Sequence, residues 1–251
     1  MRQKRMKQKR KQRFFHKSLI EKKNIVSLKG ESAHYLTRVL RLKNGQNLIL
    51  FDGSGTEWDG QIIHSTKYKV DVKLLSKQSP KTESDLEITL IQSISRSQRM
   101  DFVMQKATEL GVKQIIPMTS QNTVVRLNKS NLENKMNHWK KIIISAAEQS
   151  GRVKVPAIIK PIPFNKELLN EHKSPGSYFL DTTGDSGFSS KKISKATIVV
   201  GPEGGFTVDE KQIAIDAGYK IVKTGPRLLR TETAPIMAIS ILQYLYGDFS
   251  N

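Results

Sequence analysis

Two short stretches of the chain hold the residue types that chemistry needs. Gly201-Pro202-Glu203-Gly204-Gly205 follows the apolar run 197–200 and precedes Thr207 and Glu210, which stand at capping-box spacing. Glycines at a strand-to-helix turn admit positive φ and let a ligand approach the backbone with no Cβ in the way. A tight structural turn accounts for them equally well. The second stretch, Thr224-Gly225-Pro226-Arg227-Leu228-Leu229-Arg230-Thr231-Glu232-Thr233, again lies between an apolar run, 219–223, and a helical pattern. Two arginines, a carboxylate and two hydroxyls beside a helix start suit it to hold an anion or stabilise a developing negative charge. Ordinary N-capping by Thr231 or Thr233, with both arginines solvated, is the alternative.

Other chemistries lack their residues. Gly53, Gly55 and Gly60 do not make G-x-G-x-x-G, and there is no Walker-type G-x-x-x-x-G-K-[ST], so the usual fingerprints of dinucleotide and P-loop sites are missing. His16, His34, His64, His138 and His172 are scattered without H-E-x-x-H spacing, and cysteine is absent, so no metal is expected. The lack of cysteine also removes disulfides and thiolate nucleophiles, and is compatible with a reducing cytoplasm.

The elements that must position the two loops are legible in the apolar pattern. Short apolar stretches at 25–28, 48–51, 58–63 and 70–75, separated by turn residues, predict a small antiparallel barrel interrupted by one helix at 32–40. The polar, Pro-containing segment 77–85 reads as a linker. Strands at 87–92, 115–118, 155–159, 178–181, 197–200 and 219–223 then alternate with helices at 98–110, 132–150, after Gly205, and at 232–246. Such alternation predicts an α/β fold with a largely parallel sheet, whose ligands bind beyond the C-terminal strand ends, where both loops stand.

The chain has 251 residues and a formal charge of +19, from 42 Lys+Arg against 23 Asp+Glu. Residues 1–17 carry nine of the basic residues and no acidic one, which leaves +10 of the +19 to the rest. Nucleic acid is the expected partner, because such a field gathers polyanions. Residues 1–13 lack the apolar core of a secretory signal and read as a disordered basic arm. No apolar stretch approaches the roughly 18–20 residues that span a bilayer, so no membrane segment is expected.

Beyond these readings, the chain resembles the bacterial ribosomal-RNA uridine N3-methyltransferase family, RsmE, of the SPOUT superfamily. The resemblance runs through Arg13-Phe14-Phe15, HYLTRVLRLKNGQ at 34–46, LFDGSG at 50–55, QKATELGV at 105–112, AAEQSGR at 146–152, VVGPEGGF at 199–206 and TGPRLLRTETA at 224–234. Their joint order and spacing is specific. Thr224, where the family often has leucine, and Pro235, in the first turn of the last helix, depart from the pattern.

The resemblance implies a PUA-like RNA-binding barrel over 14–80 and a SPOUT domain with a deep trefoil knot over 85–251. It implies S-adenosylmethionine between the two loops, held by Leu180, Gly201, Glu203, Gly204, Gly205, Thr224, Gly225 and Leu229. Methylation of uridine N3 in 16S ribosomal RNA then requires loss of the N3 proton and stabilisation of charge on the flanking carbonyl oxygens. Arg230 and Arg227 are the candidate stabilisers, and Glu232 a candidate base or orienter, with a structural role as its alternative. Arg13, Arg38, Arg41, Arg96 and Arg152 are candidate RNA contacts. A cytoplasmic homodimer is the implied state. The rival readings are a SPOUT enzyme with another RNA target and a non-catalytic ribosome-assembly protein that binds RNA.

Overall fold

The computed structural model describes residues 11–17, 24–126, 128–189 and 191–250. The described chain forms two compact units, one reaching to Thr82 and including Gly151–Lys154, the other holding Glu83–Ser150 and the residues from Val155 onward. The polar stretch expected as a linker contains this boundary. Its first residues, Lys77 and Gln78, belong to the last strand of the first unit.

The first unit is a five-stranded sheet of β1 (Gln12–Phe15), β2 (Ile25–Lys29), β3 (Asn47–Phe51), β4 (Glu57–Ser65) and β5 (Lys69–Gln78), in the order β1-β3-β4-β5-β2. Alternating residues bury Val26, Leu28, Leu48, Leu50, Val70 and Val72 in one core. Two expectations need correction. The sheet is mixed, because β1 runs parallel to β3 with Phe14 opposite Leu50. Gln12 and Arg13, read as the end of the arm, are part of that strand, while residues 1–10 lie outside the described residues. The expected helix is present as a short turn α1 (Glu31–His34) that widens into a π-helical turn at Tyr35–Val39, with Ala33 and Leu36 buried.

In the second unit the strands are β6 (Glu87–Ser93), β7 (Gln114–Thr119), β8 (Ala157–Ile158), β9 (Ile162–Pro163), β10 (Gly176–Leu180), β11 (Lys195–Val200) and β12 (Lys220–Val222). Every pairing among them is parallel, in the order β12-β10-β11-β6-β7-β8, with β9 also on β7. Strands buried on both faces tend to be apolar without alternation, as IIPM, YFL and IVV are, while β6 ends in the buried polar pair Gln92 and Ser93. Neighbouring residues divide between two cores. Leu90, Ile115, Tyr178 and Ile198 pack with α2 (Ser97–Glu109), α3 (Lys129–Ser150) and α6 (Thr233–Tyr246). Ile91, Ile116, Phe179 and Val199 pack with α4 (Lys166–Glu171) and α5 (Val208–Asp216). Met136, Trp139, Ile143 and Ala146 form the inward face of α3, as their spacing predicts.

Helix ends are closed by polar groups. Gly111, at φ 87, follows the C-cap of α2 as expected. The buried Gln243 side chain donates to the Leu110 carbonyl (2.9 Å) and accepts from the Ser84 hydroxyl (2.7 Å), tying α6 to the end of α2 and to the start of the unit. On the opposite face the Tyr219 hydroxyl donates to the Leu169 carbonyl (2.9 Å), linking the turn after α5 to α4.

Burial pushes the Tyr219 hydroxyl well above the usual phenol range. Above pH ~10 the unfolded phenol therefore loses its proton while the folded one keeps it, so stability falls as pH rises past that value. Tyr219→Phe should cost about 1 kcal/mol at neutral pH through the lost hydrogen bond, and should reduce the alkaline decline. Urea titrations of both proteins at pH 7 and above pH ~10 measure this; equal alkaline slopes would contradict it.

Candidate active site

Parallel strands present their C-terminal ends to one side, and the chain leaves β10, β11 and β12 on that side in three loops. The loop after β11 turns at once, with the Gly205 N–H donating to the Pro202 carbonyl (2.9 Å) and Gly205 in the left-handed region at φ 69. It is then stopped by the capping box: the Thr207 hydroxyl accepts from the Glu210 N–H (3.2 Å) and the Glu210 carboxylate from the Thr207 N–H (2.9 Å). The other Glu210 oxygen accepts from the Gln121 N–H (2.8 Å). This fixes the loop between β7 and α3 against the first, where the Asn122 amide donates to the Gly204 and Gly205 carbonyls (3.3 and 3.1 Å).

The loop after β12 is joined to the same place. The Thr231 hydroxyl donates to the Gly201 carbonyl (2.7 Å) and accepts from the Gln92 amide (3.2 Å), with Thr231 only 6% exposed and Gln92 fully buried. Thr231 is thus a link between loops. The N-cap of α6 is Glu232, with no side-chain capping bond, so the N-capping alternative for Thr231 and Thr233 does not hold. Pro235 lies buried in the first turn of α6, where its missing N–H leaves no intrahelical bond unmade.

Between the loops is a cavity of about 530 Å³. Leu180, Gly201, Glu203, Gly204, Gly205, Thr224, Gly225 and Leu229 all line it, as do Arg227 and Arg230. The backbone there is open to a ligand: Cβ atoms built on Gly205 or Gly225 would meet nothing within 4 Å, and both residues have positive φ, 69 and 97. Gly201 and Gly204 face inward neighbours instead. A Cβ on Gly201 would stand 2.8 Å from the Phe206 ring, and one on Gly204 3.2 Å from the Asn122 Cβ. The lining carries the cations Arg99, Lys223, Arg227 and Arg230 and the carboxylates Asp181 and Glu203. A zwitterionic ligand of nucleoside size fits this mixture and volume.

Glu232 does not line the cavity. Its side chain is 15% exposed, and its two oxygens lie 3.8 Å from Arg99 Nε and 4.0 Å from Arg230 Nη1. The Arg230 side chain is 78% exposed and stands 4.0 Å from Glu232, at the outer limit of an ion pair. Sequence reading missed Arg99, Asn122, Gln92 and Asp181, which come from outside the two loops. Asp181 directly follows β10, beside Leu180, and accepts from the Thr183 N–H and hydroxyl (2.9 and 2.6 Å). Among the described residues no group of three or more His, Asp or Glu is placed to hold a metal ion.

The candidate RNA contacts divide into two sets. Arg38, Arg41 and Arg96 are exposed, and Arg41 adopts φ 54. Arg13 and Arg152 are not presented to a polyanion. Arg13 pairs with Glu57, donates to the Arg152 carbonyl (3.0 Å) and stacks 5.1 Å over Phe51, while Arg152 is 5% exposed. These contacts occupy the Arg13 guanidinium within its own unit.

Known proteins match this architecture along its length. The RNA methyltransferase domain family matches residues 82–243, and the RNA methyltransferase PUA domain family matches residues 28–75. The ribosomal RNA small subunit methyltransferase E of Buchnera aphidicola subsp. Schizaphis graminum is 34% identical over 250 residues, covering 95% of this chain and 98% of its own. A Legionella pneumophila protein solved with bound SAM superposes with a TM-score of 0.91 at 33% identity, over 96% of this chain and 100% of that one. The Neisseria gonorrhoeae ribosomal RNA small subunit methyltransferase E, solved with S-adenosyl methionine, gives 0.88 at 36% identity over 95% and 99%. With two family models covering both units and relatives of this identity aligned along nearly the whole chain, the protein belongs to the ribosomal RNA small subunit methyltransferase E family.

Proposed function

We propose that this protein binds S-adenosylmethionine in the cleft beyond β10, β11 and β12 and methylates ring nitrogen 3 of a uridine in 16S ribosomal RNA. The observation that carries this reading is the joining of the two loops, through Thr231 and Gly201, around a cavity whose glycines leave backbone uncovered. S-adenosylmethionine, when bound, supplies a methyl group on a positively charged sulfur, an electrophile that needs no metal. The chain's part is to hold the uridine ring against that methyl and to favour the N3 anion. Arg230 and Arg227 are exposed at the cleft, and the planar donor fork of a guanidinium suits the carbonyl oxygens on either side of N3. Glu232, 15% exposed between Arg99 and Arg230 and outside the lining, reads as a structural carboxylate shared by these guanidiniums and not as the base.

In the same reading the second unit, over 85–251, is a SPOUT domain with a deep trefoil knot, in which the two cofactor loops are part of the crossing. The first, over 14–80, is a PUA-like barrel that carries RNA contacts at Arg38 and Arg41, with Arg96 nearer the chemistry. Residues 1–11 add electrostatic affinity without selecting a base. The working form is a homodimer in the cytoplasm; among the described residues no helix is long and apolar enough to cross a membrane.

Incubation with unmodified small ribosomal subunits and labelled cofactor should yield 3-methyluridine in digests analysed by mass spectrometry. Another methylated nucleoside would favour a different target, and binding without transfer would favour the assembly-factor reading. Gly204→Val pushes a branched side chain against Asn122, so calorimetry should show cofactor affinity down by at least about tenfold with the melting transition retained. Arg230→Lys should leave cofactor affinity and melting near wild type and slow single-turnover methylation by at least about tenfold, roughly 1.4 kcal/mol of barrier. If affinity falls in step with the rate, Arg230 serves the cofactor loop and not the uridine.

A further inference from the structure

Arg99 stands in the first turn of α2 and reaches into the cleft from outside both loops. Its Nη1 donates to Glu203 Oε1 at 2.8 Å, a charge-assisted bond of normal length that fixes the guanidinium. From there its Nε lies 3.8 Å from Glu232 Oε2, while Arg230 Nη1 lies 4.0 Å from Glu232 Oε1. One carboxylate is therefore shared between two guanidiniums, at distances too long for a hydrogen bond to either. Glu232 Oε2 is buried and has no hydrogen-bond partner. The two arginines differ in freedom: Arg99 is 38% exposed and anchored on Glu203, whereas Arg230 is 78% exposed.

We propose that Arg99 is a positioning residue that keeps Glu232 engaged and so leaves the Arg230 guanidinium free to meet the RNA. The inference rests on Arg230 acting on the uridine. Its physical basis is competition for one anion. A buried carboxylate oxygen with no hydrogen-bond partner is unfavourable, and a nearby cation relieves it. With Arg99 present, relief comes from a side chain already fixed by Glu203. Without it, among the described residues the remaining ion-pair partner of Glu232 is Arg230, which needs to close a gap of 4.0 Å. Closing it would take from the site a cation exposed to a polyanion. All three side chains are partly exposed, so solvent screens their contribution to folding, and the fold should depend on them little.

The test uses the full chain labelled with 15N-arginine and reads two things. One is the heteronuclear NOE of the Arg230 Nε–H without cofactor or RNA; the other is single-turnover methyl transfer beside cofactor affinity. In Arg99→Met the Arg230 NOE should rise, the rate should fall by at least about tenfold, and cofactor affinity should stay within about threefold. Adding Glu232→Gln to Arg99→Met removes the competing charge, so the NOE should drop back and the rate recover by at least about threefold. Arg99→Lys, which keeps the charge but offers a point donor in place of a planar fork, should fall between wild type and Arg99→Met, and serves if the latter does not fold. An unchanged NOE, an unchanged rate, loss of cofactor affinity in step with the rate, or no recovery in the double variant each overturns the proposal. Failure of the wild-type protein to methylate RNA would end the proposed function instead, and the NOE comparison would still decide whether Arg99 restrains Glu232.

Discussion

The Thr231 hydroxyl donates to the Gly201 carbonyl while accepting from Gln92, and through these bonds the segments after β11 and β12 become one wall. Gln92 is the penultimate residue of β6, so the wall is referenced to the middle of the sheet. Such a neutral bond contributes only about 1 kcal/mol net, yet leaving its buried partners unmet costs about 1–3 kcal/mol. The geometry is thus held less by the strength of the bond than by the penalty of breaking it. Asn122 and Glu210 act in the same way on the other side, fixing the glycine-rich turn against the loop after β7. With its backbone held at these points, the turn leaves the Gly205 backbone uncovered.

Buried links and exposed charges divide the work. Thr231, Gln92 and Glu210 are each less than a tenth exposed and fix backbone. Arg227 and Arg230 are exposed. Arg99, Glu203 and Glu232 lie between these extremes, partly screened and mutually paired. Under the proposed function, that gradation would separate a permanent frame from groups able to rearrange around a nucleic acid, because ion pairs near solvent exchange partners at little cost.

Much of this was legible in the sequence because it is local. Glycine and proline at strand ends, the Thr207/Glu210 spacing and the apolar face of α3 each depend on residues within a few positions of one another, and the structure has them as expected. What the sequence hid is non-local. Arg99 meets Glu203 across 104 positions and Gln92 meets Thr231 across 139, and nothing in either neighbourhood marks those partners. Arg13 looked like one more cation of a basic arm; only its parallel pairing on β3 places it beside Glu57 and Phe51. The helix α4 is six residues long, too short for a periodic signal.

The order of strands in the second sheet has a consequence for a chain still emerging from the ribosome. β6 is flanked by β7, which follows it closely, and by β11, whose Lys195 pairs with Glu87. While residues 87–150 are already outside, one edge of β6 therefore stands open, awaiting a strand not yet translated. An unfilled apolar edge invites pairing with other nascent chains. That wall of the cleft cannot form until β11 has docked on that edge and α6, ending at Tyr246, has packed behind it. Under the proposed function, cofactor would be held only by a molecule whose synthesis has passed that point, so truncated products would not compete for the methyl donor.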